Sequence, residues 1–245
     1  MNWGRVTHNC AGRMGELAFW LQKIQGGWRV GWVYLATDET PNPADAAVSW
    51  QRFAMPGAEL RLSPAMPDSP VVLRPALPLT VFPGHVEKVY VSVPVTLRIE
   101  GGDPPPCTLR ELPTRRLSLS WFGNNTKEGR LCLSLKTRAR DVCPTAEDPG
   151  AAHRVICPLE VENASRETRA FERFCLHTPR MGIYMDGRGL LWGNRCRVTY
   201  RGTGAREEAF LDSGAPVESN PFERVATPRE EDTGGGLPGI LSFLS

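Results

Sequence analysis

The sequence predicts an all-β protein: antiparallel sheets forming one or two sandwich-like units, with little helix. Three observations carry this. Apolar and polar residues alternate with a period of two in several short stretches. Glycine and proline are frequent, at 24 and 22 residues. No long window holds a 3.6-residue apolar period. Alternation places successive side chains on opposite faces of a strand, and Gly and Pro punctuate short strands rather than long helices. Many short strands with turn signals between them are the pattern of sandwiches.

The elements follow in order. Leu17, Phe19 and Leu21 share one strand face, and Trp28, Val30, Trp32 and Tyr34 share the next. Gly26-Gly27 between them suits a hairpin turn. A short helix is expected over 44–52. The proline-rich stretch 60–83 divides the chain, giving an N-terminal β unit over 1–70, a main unit over 71–212 and a flexible acidic tail over 213–245. The strongest alternation is Val89, Val91, Val93, Val95, Leu97 and Ile99. Pro94 cannot donate to a ladder, so this strand is expected at an edge or bulged. Leu117, Leu119 and Trp121 alternate with Ser118 and Ser120. Leu131, Leu133 and Leu135 repeat the pattern, as do Val155, Cys157, Leu159 and Val161. A polar turn at 163–166 leads into a strand over 169–176. Asp186-Gly187 supplies the positive φ angles of a hairpin joining 183–185 to 190–192.

Length and composition bound the class. A chain of 245 residues buries a core as one large domain or two smaller ones. Hydrophobic residues at 41 % and charged residues at 23 % exclude chain-wide disorder. The net charge of +2 gives no general attraction to nucleic acid. Eight basic residues and two acids fall within 110–140, whereas 205–245 holds eight acids and three arginines. Solvated strand faces and a loose tail account for this unevenness without a partner. Arg195, Arg197 and Arg201 beside Tyr200 read as arginines on the outer face of a strand, not as a nucleic-acid surface.

Seven cysteines, an odd number, accompany an N-terminus with no apolar signal segment. Reduced, mostly buried thiols and a cytoplasmic location are expected. No run reaches the length of a membrane span, so no membrane insertion is expected. No C-x-x-C pair and no close His pair argue for a metal or cofactor. There is no G-x-S-x-G elbow and no phosphate loop, so no catalytic residue is assigned.

The densest polar group is the loop after Trp121. Trp121, Asn124, Asn125, Thr126, Glu128 and Arg130 form a candidate site for a small polar ligand, with an aromatic floor under amide, hydroxyl and charged groups. The competing reading makes the loop a plain hairpin and Trp121 a core anchor. At the other end, Ile240, Leu241, Phe243 and Leu244 form an apolar tip after a Gly-rich leash and are candidate partner-binding residues.

The segment LSLSWFGNNTKEGRLC at 117–132 resembles an uncharacterised prokaryotic family, the domain of unknown function 432. Asn2-Trp3-Gly4, LRPALP at 73–78, VYVSVP at 89–94, ICPLEVEN at 156–163, FERF at 171–174 and Leu191-Trp192 continue the resemblance in order, to about Tyr200. The family has no established activity. Its members are often encoded near small-conductance mechanosensitive channels, so the resemblance implies a cytoplasmic accessory role with such a channel as the protein partner. The leading functional expectation is a non-catalytic binding or accessory module. The alternative is a sensor or enzyme using the 121–130 loop.

Overall fold

Glycine geometry and strand alternation shape the first of two compact units, which runs over Met1–Ala65 and Pro94–Arg116. The structure is a computed structural model that describes residues 3–36, 39–102, 105–123, 129–148, 150–202, 208–218 and 222–230. Strands Leu17–Ile24 and Gly27–Tyr34 meet at a two-residue turn, with Ile24 opposite Gly27. Gly26 takes φ +79° there. Gly27 must stay small, because a Cβ on it would come within 2.0 Å of the Phe53 carbonyl. Cys10–Met14 and Ser49–Ala54 complete this four-stranded sheet. A second sheet is ordered Gly4–Val6, Leu60–Ala65, Thr96–Gly101 and Cys107–Pro113. Leu17, Phe19, Leu21, Trp28 and Val30 of the first sheet share one buried cluster with Leu60, Leu62, Leu97 and Ile99 of the second. That is the sandwich core the alternation predicts.

The helix expected over 44–52 is absent. Positions 45–47 form turns and Ser49–Ala54 is a strand. Trp50 explains the choice: its ring stacks under the Arg29 guanidinium at 3.9 Å and lies 6.3 Å from the Trp20 ring, contacts that a cross-strand position provides.

The expected long strand over 89–99 has the right buried face, since Val89, Val91, Val93, Val95, Leu97 and Ile99 are all buried. It is nevertheless two strands, Val86–Pro94 and Thr96–Gly101. Pro94 ends the first ladder, and the chain passes there into the first unit.

The second unit comprises Met66–Val93 and Leu117–Ser245. One sheet is ordered Ser118–Gly123, Gly129–Thr137, Val71–Pro75 and Phe174–Leu176. The larger sheet runs Glu208–Leu211, Cys196–Tyr200, Arg154–Asn163, Leu191–Gly193, Ile183–Asp186 and Phe222–Ala226, with Val86–Pro94 paired to Arg154–Asn163. Most pairings are antiparallel, but Gly129–Thr137 runs parallel to Val71–Pro75, and Arg154–Asn163 runs parallel to both of its neighbours in that order. The expected strand over 169–176 is split into Arg169–Phe171 and Phe174–Leu176, which join different sheets.

One of two expected turns shows the predicted chemistry, and the other forms with a different glycine. Asn163 Oδ1 accepts hydrogen bonds from the Ser165 N–H and hydroxyl, while its Nδ2 donates to the carbonyls of Val81 and Glu167. The hairpin after Asp186 forms, but Gly189, not Gly187, takes the left-handed φ, +80°. Asp186 Oδ1 accepts from the Arg188 and Leu190 N–H groups, and Oδ2 accepts from the indole of the fully buried Trp192.

All seven cysteines are free thiols; Cys132, Cys157, Cys175 and Cys196 are buried, and Cys107 is exposed.

Candidate functional site

The cations of 136–140 become a site because of a strand end. Along Gly129–Thr137, Leu135 and Thr137 turn inward and are buried. Alternation therefore sends Lys136 to the opposite face, and Arg138, exposed like Lys136, follows just past the strand end. Arg140 is bridged to Tyr90: the Tyr90 N–H donates to the Arg140 carbonyl at 2.7 Å, and the Arg140 N–H donates back at 3.0 Å. On the facing strand Arg154 stands just before the buried run Val155–Ile156.

Together these elements line a cavity of about 580 Å³. Its walls carry Lys136, Arg138, Arg140 and Arg154, the hydroxyl residues Tyr90, Ser92 and Thr137, and a single carboxylate, Asp148. Val91, Pro144 and Ile156 give it an apolar side. Two of the cations are fixed. The Arg140 guanidinium donates to Asp148 Oδ1 at 2.7 Å, and Arg154 Nε donates to the Ser92 hydroxyl at 2.9 Å. The Arg140 hydrogen bond, with help from the Thr145 N–H, holds the Asp148 carboxyl below the usual range, so Asp148 is ionised and already committed. Beside the cavity, burial and then the Arg154 charge hold the His153 imidazole below its ordinary value.

Lys136 and Arg138 are exposed, and neither has a carboxylate partner among the described residues. In the sheet register Lys136 lies opposite Arg74. Like charges directly opposed across a sheet are destabilising, so this pair of cations does not stabilise the sheet. A concave, one-signed surface focuses field lines and concentrates counter-ions. Chemically it can hold an anion by charge and by paired guanidinium N–H groups.

The loop expected as a site is only partly described. Asn124, Asn125, Thr126 and Glu128 lie outside the described residues, as do Ile240, Leu241, Phe243 and Leu244 of the tail. Trp121 and Arg130 are described. Trp121 is not a core anchor: it is 44 % exposed, and Leu119 and Leu131 beside it are 64 % and 55 % exposed. The reason is which face of the hairpin turns inward. Phe122 and Cys132 occupy that face with Val72 and Cys175, so residues one step away face out. Arg130, on the inward side, lies with Nη1 2.5 Å from His177 Nε2. Burial, then the charges of Arg130 and Arg180, hold His177 below its ordinary value, which leaves Nε2 able to accept. Register thus puts Trp121 and Arg130 on opposite faces of one hairpin.

The sequence reading missed the cavity. Its signal was present as Lys136, Arg138 and Arg140 at spacing two, but the run was read as part of a solvated face. Among the described residues, no group of three or more metal-ligating side chains occurs, and no helix is long and apolar enough to cross a membrane.

The class these observations define is an all-β protein with a cationic cavity at the end of a sheet. The chain belongs to the family described as Protein of unknown function (DUF432), whose model matches residues 2–238. The match runs past Tyr200, where the sequence resemblance was expected to end, so residues 201–238 belong to the family as well. No curated protein and no solved structure matches the chain.

Proposed function

We propose that the protein is a non-catalytic binding module whose cavity takes a small anionic ligand. The observation that supports it is the unanswered charge on Lys136 and Arg138, set between two guanidiniums that Asp148 and Ser92 hold in place. Fixed donors reduce the ordering cost of binding, and free ones supply attraction. The groups around the cavity hold an anion rather than transform it: the only acid is engaged, and the hydroxyls of Ser92 and Thr137 are hydrogen-bonding groups of ordinary reactivity. In the accessory role that the family resemblance implies, the state of this cavity is what the module would report to a partner such as a mechanosensitive channel.

Titration calorimetry with pyrophosphate tests the reading. Wild-type protein should bind at one site, and Arg138→Glu and Lys136→Glu should each weaken binding by about tenfold or more, the loss of one charge-assisted contact. Arg61→Ala, an exposed cation in the other unit, should leave affinity unchanged. Absence of binding, or equal affinity in all four proteins, would overturn it.

A further inference from the structure

We infer that the ligand of this cavity is a linear oligophosphate chain, not a lone phosphate or carboxylate; the inference rests on the anion-binding reading above. The first argument is charge. Among the described residues the walls carry four cations and one carboxylate, so positive charge exceeds negative there. A monoanion would leave most of that charge uncompensated in a space with apolar walls, where repulsion is stronger than in water. A chain bearing three or more negative charges neutralises it.

The second argument is shape. Lys136 lies next to the end of the strand Gly129–Thr137, and Arg138 and Arg140 follow it at every second residue, Arg140 in an isolated bridge to Tyr90. Four residues of chain can spread these charges over at most about 13 Å, so they are separate points rather than one. Arg140 closes one end of that run, because Asp148 fixes its guanidinium. Arg154 opens the strand Arg154–Asn163, which pairs with Val86–Pro94, and is tied to both the hydroxyl and the carbonyl of Ser92 on that partner. A compact anion would meet one or two of these groups. An extended phosphate chain can be met by all four, with guanidiniums taking phosphate oxygens in pairs.

The third argument is the separation of roles among the four. Both anchored arginines have fixed positions, while Lys136 and Arg138 are exposed and can follow the chain. Lysine is a mobile point charge and arginine a planar fork. Such a mixed set suits successive phosphates more than one carboxylate, which a single fork would satisfy.

The chemistry could come from free oligophosphate or from the phosphate tail of a nucleotide. Titration of the full chain with orthophosphate, pyrophosphate, tripolyphosphate and ATP, all at one ionic strength, separates these. Each added phosphate should tighten binding by about tenfold. Arg138→Ala should flatten the series, cutting tripolyphosphate affinity at least tenfold while changing orthophosphate affinity less than threefold. Equal affinity for tripolyphosphate and ATP would assign the chain alone as the ligand, and tighter ATP binding would assign the nucleotide source. Orthophosphate binding within about threefold of tripolyphosphate would overturn this inference while leaving the anion-binding reading intact. No binding by any probe would overturn both. A length dependence that survives in Arg138→Ala but disappears in Arg61→Ala would place the effect outside the cavity and overturn this inference.

Discussion

Two runs of cations sit at strand ends of the same unit, Arg195 and Arg197 at the start of Cys196–Tyr200 and Lys136, Arg138 and Arg140 at the end of Gly129–Thr137, and they are treated oppositely. The first run is answered by acids. Arg197 lies opposite Glu160 in the parallel register and also reaches Asp212 at 2.8 Å. Arg195 contacts Glu160 at 3.1 Å and Glu218 at 2.9 Å, and Glu218 takes Lys88 as well at 2.7 Å. Among the described residues the second run meets only Asp148, and Lys136 is aligned with another cation, Arg74. In sequence both look like outward-facing basic residues. The register decides which run contributes to the fold and which is left to attract a ligand.

Removing the acid at the centre of the first run should have the largest effect. The Glu218 side chain is 6 % exposed and that of Arg195 13 %. Glu218→Ala would leave Lys88 without its acid and Arg195 with Glu160 alone, and should cost about 1–3 kcal/mol, the penalty for buried polar groups left short of a partner. Urea denaturation measures it. A loss under about 1 kcal/mol would make the pair equivalent to an exposed one and erase the contrast between the two runs.

Acid comes next. Burial pushes the Glu218 carboxyl up, but the Lys88 hydrogen bond and the charge of Arg195 outweigh it and hold the group below its ordinary value. A carboxyl depressed in the folded state contributes stability that is fully present above its unfolded value, about 4.3, and is lost as pH falls through the folded one. Asp186 is also depressed: burial raises it, and the N–H groups of Leu190, Trp192 and Arg188 overcome that. The melting temperature should therefore fall below about pH 4.3, and Glu218→Gln should melt lower near neutrality but lose less on acidification. An identical acid dependence in both proteins would exclude Glu218 from this role.

What was legible in the sequence follows the same division between pattern and partner. Alternation identified the faces of Leu17–Ile24 and Gly27–Tyr34 correctly, because a two-residue turn fixes their register locally. The buried face of 89–99 was legible from its alternation alone, though the change of unit at Pro94 was not. Trp121 was misjudged because alternation defines two faces without saying which one meets a core. That was settled by Phe122, Cys132, Val72 and Cys175, which come from four separate strands. Trp192 shows the converse: it is buried because Asp186, six residues away, satisfies its indole N–H. The cavity was illegible for a related reason. Lys136, Arg138 and Arg140 are close in sequence, but Tyr90, Ser92 and Arg154 reach them only through sheet pairing.

Arg197→Ala should have a smaller effect than Glu218→Ala. Its side chain is 53 % exposed and its two ion pairs face solvent. A loss of about 0.5–1 kcal/mol is expected, shrinking in high salt. A loss comparable to that of Glu218→Ala would show that exposure does not grade the contributions along the first run.

The smallest change in stability should come from Arg138→Ala, and it is the sharpest test of the contrast. Arg138 is exposed, has no carboxylate partner among the described residues, and stands two residues from both Lys136 and Arg140. Nothing that the fold depends on is removed with its guanidinium, so stability should change by no more than about 0.5 kcal/mol. The sign should be towards stabilisation at low ionic strength, because three neighbouring like charges become two and their repulsion is weakly screened there. Added salt should then bring variant and wild type together by relieving the wild type, the reverse of its effect on Arg197→Ala. Denaturation at low and high salt reads this difference of signs directly. If Arg138→Ala instead loses stability that salt diminishes, the guanidinium has an acidic partner, and the second run is as well compensated as the first.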